Sequence, residues 1–157
     1  MLLAVDPGET VSGLAVLEED GGIVSLAVQS NVELLAVLRH IHPPAEPRQL
    51  VLEEVSSYGM RVGRSIFHTI YYSGRLWEAA TAAGLDVFLV PRIVVRRNLA
   101  GKLNSGDKDV RQAVLRRRPE LAGHPGFVSH AVQALGLGLV FLDYSRIGDA
   151  ERFRSAA

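Results

Sequence analysis

The residue pattern predicts an α/β fold: a mixed five-stranded sheet, built from a three-strand antiparallel meander plus parallel strands, flanked by helices. Three observations carry this. Three short apolar runs open the chain and are joined by tight turn signals. Two later runs of strand length are separated by a long segment of helical spacing. The chain then closes on helical segments with no further strand pattern, which places helices over a sheet.

Each element has its own reason. Leu2 to Val5 is a short apolar run ending at Asp6, which predicts a buried strand with a carboxylate at its C-terminal end. Pro7-Gly8 turns the chain, and Ser12 to Leu17 predicts a second strand. Glu19-Asp20-Gly21-Gly22 is a hairpin signal leading into a third strand from Ile23 to Val28. Asn31 is the expected N-cap of a helix with apolar positions Leu34, Leu35, Leu38 and Ile41, stopped by Pro43-Pro44. Gln49 to Val55 predicts a fourth strand, and its period of two puts Glu53 and Glu54 on opposite faces. After a polar loop from Ser56 to Gly63, a long helix is expected from Ser65 to Ala83, with Ile66, Ile70, Trp77 and Ala80 near one side. Leu85 to Val90 is the fifth strand. Pro91 suits the first turn of a helix ending near Gly101. Asp107 to Arg118 and Ser129 to Asp143 complete the helices, giving one domain over 1–145 and a polar, fraying tail over 146–157.

Composition narrows the function classes. The 157 residues are 48% hydrophobic and 22% charged, enough apolar material for a full core and too much for bulk disorder. No apolar stretch approaches the ~20 residues of a membrane span, and no basic n-region opens the chain, so a cytoplasmic protein without membrane contact is expected. Zero cysteines exclude disulfides and thiolate zinc sites. The net charge of zero hides an asymmetry: from Arg92 to Arg118 the chain carries +7, and the remainder carries −7. A basic band on an otherwise acidic domain is the footprint of a polyanion binder.

An acid on a buried strand costs several kcal/mol of desolvation unless it is compensated. Asp6 and Glu53 both follow apolar strand residues, and two such carboxylates at one sheet edge form a hard-oxygen site for Mg²⁺ or Mn²⁺. Taken singly, a strand-end acid is more often structural, with Asp6 as a turn cap and Glu53 as a partner of an arginine. His130, near the start of the last helix, has Gln133 on the same face one turn later; it is either a structural histidine or a ligand beside the two acids. Asp6-Pro7-Gly8-Glu9-Thr10 also matches the phosphate loop of sugar kinases and actin-like ATPases, but those clasp nucleotide between two domains.

Four segments in order, covering most of the chain, resemble the RuvC-type Holliday-junction resolvases of the ribonuclease H-like superfamily, and more closely their bacteriophage relatives. They are Leu3 to Gly13, with its Asp-Pro-Gly turn; Val51-Leu52-Glu53-Glu54-Val55, followed by a phage-like Ser57-Tyr58-Gly59-Met60; Val95 to Gly101 with Asp107 to Ala113; and Ser129-His130-Ala131-Val132-Gln133-Ala134-Leu135. The resemblance implies a crossover junction endodeoxyribonuclease with two divalent ions, Mg²⁺ or Mn²⁺, per active site. Asp6 would bridge the ions, Glu53 would ligate one, and His130 would complete the first shell, with Glu54 a lesser candidate. The implied reaction is phosphodiester hydrolysis by a metal-activated water, with the second ion stabilising the leaving 3′ oxygen.

The chain departs from the pattern at Gln133, where many cellular members have an acid, so the site loses one negative charge. Asp107, followed by Lys108, is a secondary candidate for restoring it; a helix N-terminal acid favoured by the macrodipole is the other reading. The basic band, with Arg96, Arg97, Lys102 and Arg111, is expected to grip phosphates. Tyr58 and Met60 are expected to wedge against unstacked bases at a branch point, with Arg61 and Arg64 on phosphates. Paired nicks on a two-fold four-way junction imply a homodimer, for which the helix around Tyr72 to Trp77 offers small residues and close approach. A broader flap and fork nuclease, or a catalytically silent DNA-binding scaffold, are the alternatives.

Overall fold

Five strands hydrogen-bond into one sheet in the order β3-β2-β1-β4-β5. The computed structural model describes residues 1–41, 47–56, 59 and 61–155. β1 (Leu2–Asp6), β2 (Val11–Leu17) and β3 (Ile23–Ser30) form the expected antiparallel meander, and β4 (Gln49–Glu54) and β5 (Asp86–Pro91) add in parallel. β1 is central and buried along its whole length, which is why its sequence is an uninterrupted apolar run rather than an alternating one.

Alternation along the strands divides the core into two layers. Leu3, Val5, Leu50 and Leu52 face α1 (Asn31–Arg39) and α2 (Arg64–Ala82). Leu2, Ala4, Val51 and Phe88 face the other side, where α3 (Arg92–Ala100), α4 (Asp107–Arg117) and α5 (Ser129–Arg146) pack. Every residue of α5 from Ala131 to Leu142 is buried. A helix covered by the sheet on one side and by two helices on the other has no polar face to show. Close approach is possible because Gly138 stands against Leu17 and Ala4, and Gly136 against Leu99.

Three local expectations are corrected. Ser30, not Asn31, caps α1: its hydroxyl accepts from the Glu33 amide at 3.3 Å, which releases Asn31 for a different task. On α2 the buried residues are Thr69, Tyr72, Leu76, Ala79 and Ala80, while Ile70 is exposed. Apolar residues surround this helix, so the sequence could not say which stripe meets the sheet. Residues 146–155 are not frayed. α5 continues to Arg146, and a 3₁₀ turn at Ala150–Phe153 follows. Phe153 is buried edge-on against Tyr144 with centroids 5.0 Å apart, and the Ser155 amide donates to the Val87 carbonyl, covering the outer edge of β5. Removing this anchor, Phe153→Ala, is expected to cost about 3 kcal/mol in urea unfolding. Pro43-Pro44 lie outside the described residues. Among the described residues no helix is long and apolar enough to cross a membrane.

Candidate active site

Asp6 and Glu53 arrive at one end of the sheet on neighbouring parallel strands. Ala4 pairs with Val51 and Val5 with Leu52, so the period of two points both acids toward α5, while Glu54 turns to the opposite face. Asp6 is 2% exposed and Glu53 4%. α5 brings His130 to the same place, with Nδ1 2.8 Å from Asp6 Oδ2. The approach depends on Gly13, which opposes Asp6 on β2. A Cβ on Gly13 would lie 2.0 Å from the His130 carbonyl oxygen, so the last glycine of the opening motif is where the helix backbone rests on the sheet.

Glu53 is joined to Asp6 by a residue that the sequence placed only within the basic band. Arg92, first residue of α3, donates from Nε to Glu53 Oε1 and reaches Asp6 Oδ1 from Nη2 at 3.5 Å. The parallel register explains its position: Glu53 pairs with Val90 and Glu54 with Pro91, so the residue after Pro91 emerges beside the strand-end acids. A signal existed in the Pro-Arg step that ends the fifth strand.

The electrostatics follow from burial. Glu53 is pushed up to about 7, first by burial and then by the charge of Asp6, with Arg92 drawing it back. The hydrogen bond to Asp6 raises the His130 imidazole above its ordinary range, against the opposing effect of burial.

Asn31 and Ser12 were missed by sequence reasoning. Ser12 Oγ donates to Asn31 Oδ1 at 2.8 Å, and Asn31 Nδ2 donates to the Gly8 and Glu9 carbonyls at 3.0 and 3.1 Å. This buried pair braces the turn after Asp6, which forms one wall of a cleft of about 600 Å³. Arg92, Arg96, His130 and Ser65 line it as well.

Two buried carboxylates and an imidazole nitrogen are a donor set that suits a hard divalent cation. Among the described residues, however, no three His, Asp or Glu side chains are grouped as a metal cage; the Arg92 guanidinium stands between the two acids.

The other candidates are dispersed. Asp107 is held by Arg96 Nη2 at 3.3 Å, and the Arg96 Nε is buried without a hydrogen-bond partner among the described residues. Gln133 is buried and Lys108 exposed. Arg111 is engaged structurally, its Nη1 donating to the Phe127 carbonyl at 2.8 Å and its guanidinium lying over the Phe127 ring. Arg61, Arg64, Arg97 and Lys102 are exposed. Ser57, Tyr58 and Met60 lie outside the described residues. Tyr72 and Leu76 belong to the core, not to a pairing surface; the Tyr72 hydroxyl donates to the Asn31 carbonyl at 2.9 Å.

No protein-family model and no curated protein matches the chain. Solved structures do. The chain is similar to Thermus thermophilus RuvC at 21% identity and a TM-score of 0.68, over 94% of this chain and 96% of that one. T. thermophilus RuvC in complex with Holliday junction substrate aligns over the same shares, also at 21% identity, with a TM-score of 0.72. The fowlpox virus resolvase, in complex with substrate Holliday junction DNA, aligns at 11% identity and a TM-score of 0.58, over 91% of this chain and 99% of that one. The fold is therefore the ribonuclease H-like fold of these resolvases.

Proposed function

We propose that this chain is a divalent-metal-dependent, structure-selective endonuclease that resolves Holliday junctions by paired symmetric nicks. The observation that carries the reading is the burial of Asp6 and Glu53 side by side at the carboxyl ends of adjacent parallel strands, on a fold shared with resolvases. Burying two neighbouring acids is unfavourable for folding, and a site that holds a hard cation is the use that explains it.

Asp6, Glu53 and His130 are the residues that would hold Mg²⁺ or Mn²⁺, two ions per site. When bound, such ions supply Lewis acidity for phosphodiester hydrolysis. The chain's own contribution is positioning. Gly13 seats α5 so that His130 orients Asp6, and Asn31 with Ser12 fixes the turn that shapes the cleft. Arg61, Arg64, Arg96, Arg97 and Lys102 supply cations for the DNA backbone. Gln133 and Asp107-Lys108 keep the chain with the bacteriophage-like branch of this reading, acting in the cytoplasm of a bacterial host.

The active species is a homodimer paired through the outer face of α2. Phe67, Ile70 and Tyr71 are exposed there, Tyr71 at 72%, and a Cβ on Gly74 would meet nothing within 4 Å. These positions recur at helical spacing, so they form one apolar stripe. The double variant Ile70→Glu/Tyr71→Glu is expected to sediment as a monomer with its circular-dichroism spectrum unchanged, where the unmodified chain sediments as a dimer.

The direct test incubates the protein with a synthetic four-way junction, a flap and a linear duplex in Mg²⁺, Mn²⁺ or EDTA. Symmetric nicking of the junction in metal is the expected result. Equal cleavage of the flap points to a broader branched-DNA nuclease. Binding without cleavage in either metal points to a silent scaffold, the reading favoured by the Arg92 guanidinium lying against both acids.

A further inference from the structure

The two acids are not empty-handed. Asp6 Oδ2 is held by His130, Asp6 Oδ1 faces Arg92 Nη2, and Glu53 Oε1 takes the Arg92 Nε–H. A cation held by these carboxylates would need the same lone pairs, and its charge would repel a guanidinium at that distance. Unlike the acids, the Arg92 side chain is 38% exposed and opens onto the cleft, so it has somewhere to go. It is also the first residue of α3, preceded by extended Pro91, and its long side chain can swing without moving the helix.

We propose that Arg92 is an exchangeable internal counter-ion of the Asp6–Glu53 pair, which neutralises the acids in the metal-free protein and is expelled into the cleft when a divalent cation binds. The inference rests on the nuclease reading only in taking the acids as the metal-holding groups, and it adds a control on that site: Arg92 sets how much divalent cation the site demands. Its role is positioning and competition, not contact with reacting atoms. An ordinary structural arginine would have the opposite signature, because its removal loosens the site and weakens metal binding.

The test measures Mn²⁺ binding by calorimetry on the full chain without DNA, comparing wild type with Arg92→Gln. With the competing cation gone from Glu53 Oε1 and from 3.5 Å off Asp6 Oδ1, the carboxylate lone pairs are left to the metal, and the variant is expected to bind Mn²⁺ about tenfold more tightly. A second readout is taken on the wild type, with Arg92→Lys, which keeps the charge, used for assignment. In wild type, the Arg92 Nε–H resonance, assigned by its loss in Arg92→Lys, is expected to move toward the solvated value during Mg²⁺ titration, with the midpoint of metal binding. Equal or weaker Mn²⁺ binding by Arg92→Gln, or an Arg92 resonance that stays put while metal binds, overturns the counter-ion role and leaves the nuclease reading standing. No metal binding by either protein overturns both.

Discussion

Gly13→Ala is expected to destabilise the fold by about 3 kcal/mol. A Cβ at that position falls 2.0 Å from the His130 carbonyl oxygen and 2.7 Å from the Ala131 amide nitrogen. Both are backbone atoms, which cannot rotate away. Relief requires the first turn of α5 to lift from β2 by about an ångström, but α5 is packed against the sheet beneath and α3 and α4 above, and such interiors do not yield smoothly. Lifting that turn also draws His130 from Asp6, so the variant is expected to lose His130's raised affinity for a proton as well as stability. Thermal unfolding should shift down by roughly 10 °C for a chain of this size. Gly74→Ala, made in the monomeric Ile70→Glu/Tyr71→Glu background so that no partner helix faces it, is the internal control. Its Cβ meets nothing within 4 Å, and alanine is favoured over glycine in a helix interior by about 1 kcal/mol. It should therefore leave stability equal or higher. Opposite signs for two glycine-to-alanine changes separate close backbone approach from mere flexibility; equal small effects would remove the account of how α5 is seated.

Much of this arrangement is legible in the chain because it is local. An apolar run that stops at an acid reads as a buried strand delivering Asp6, and the hairpin residues around Gly21, which takes φ 94°, fix the meander. Period-two alternation separates Glu53 from Glu54 without reference to any structure. What is not legible depends on which surfaces meet. α2 carries apolar residues around its circumference, so only the sheet decides that Tyr72 and Leu76 go inward and Ile70 and Tyr71 outward. Asn31 sits one residue from a true cap, and its bonds to the turn at Gly8 span 23 positions of sequence. The Arg92–Glu53 pair spans 39. Composition correctly marks Arg92 as part of a basic band, but the band is not one surface: Arg92 bridges the buried acids, Arg111 fastens the loop before α5, and Arg96 is shared between Asp107 and the cleft.

Asp6→Asn is expected to lower junction cleavage by about a thousandfold or more, because several kcal/mol of charge stabilisation depend on the carboxylate that would hold the cation. The substitution keeps the shape of a side chain that is 2% exposed, and the amide oxygen still accepts from His130 Nδ1. What is removed is one of the two anions. The charge of Asp6 is among the causes that raise Glu53, so its loss lets Glu53 ionise more readily beside Arg92 and offsets the weakened Asp6–Arg92 pair. Stability should therefore stay within about 1 kcal/mol of wild type. Junction affinity in EDTA should also be preserved, since the phosphate contacts come from exposed arginines and Lys102 rather than from the acids. Three measurements on one variant then discriminate: cleavage rate, unfolding free energy and gel-shift affinity. Loss of the first alone identifies Asp6 as part of the reacting site. Joint loss of cleavage and stability would assign it to the architecture, as a cap on the Pro7-Gly8 turn. Full cleavage would remove Asp6 from the site and with it the reading of the buried acid pair as a nuclease centre.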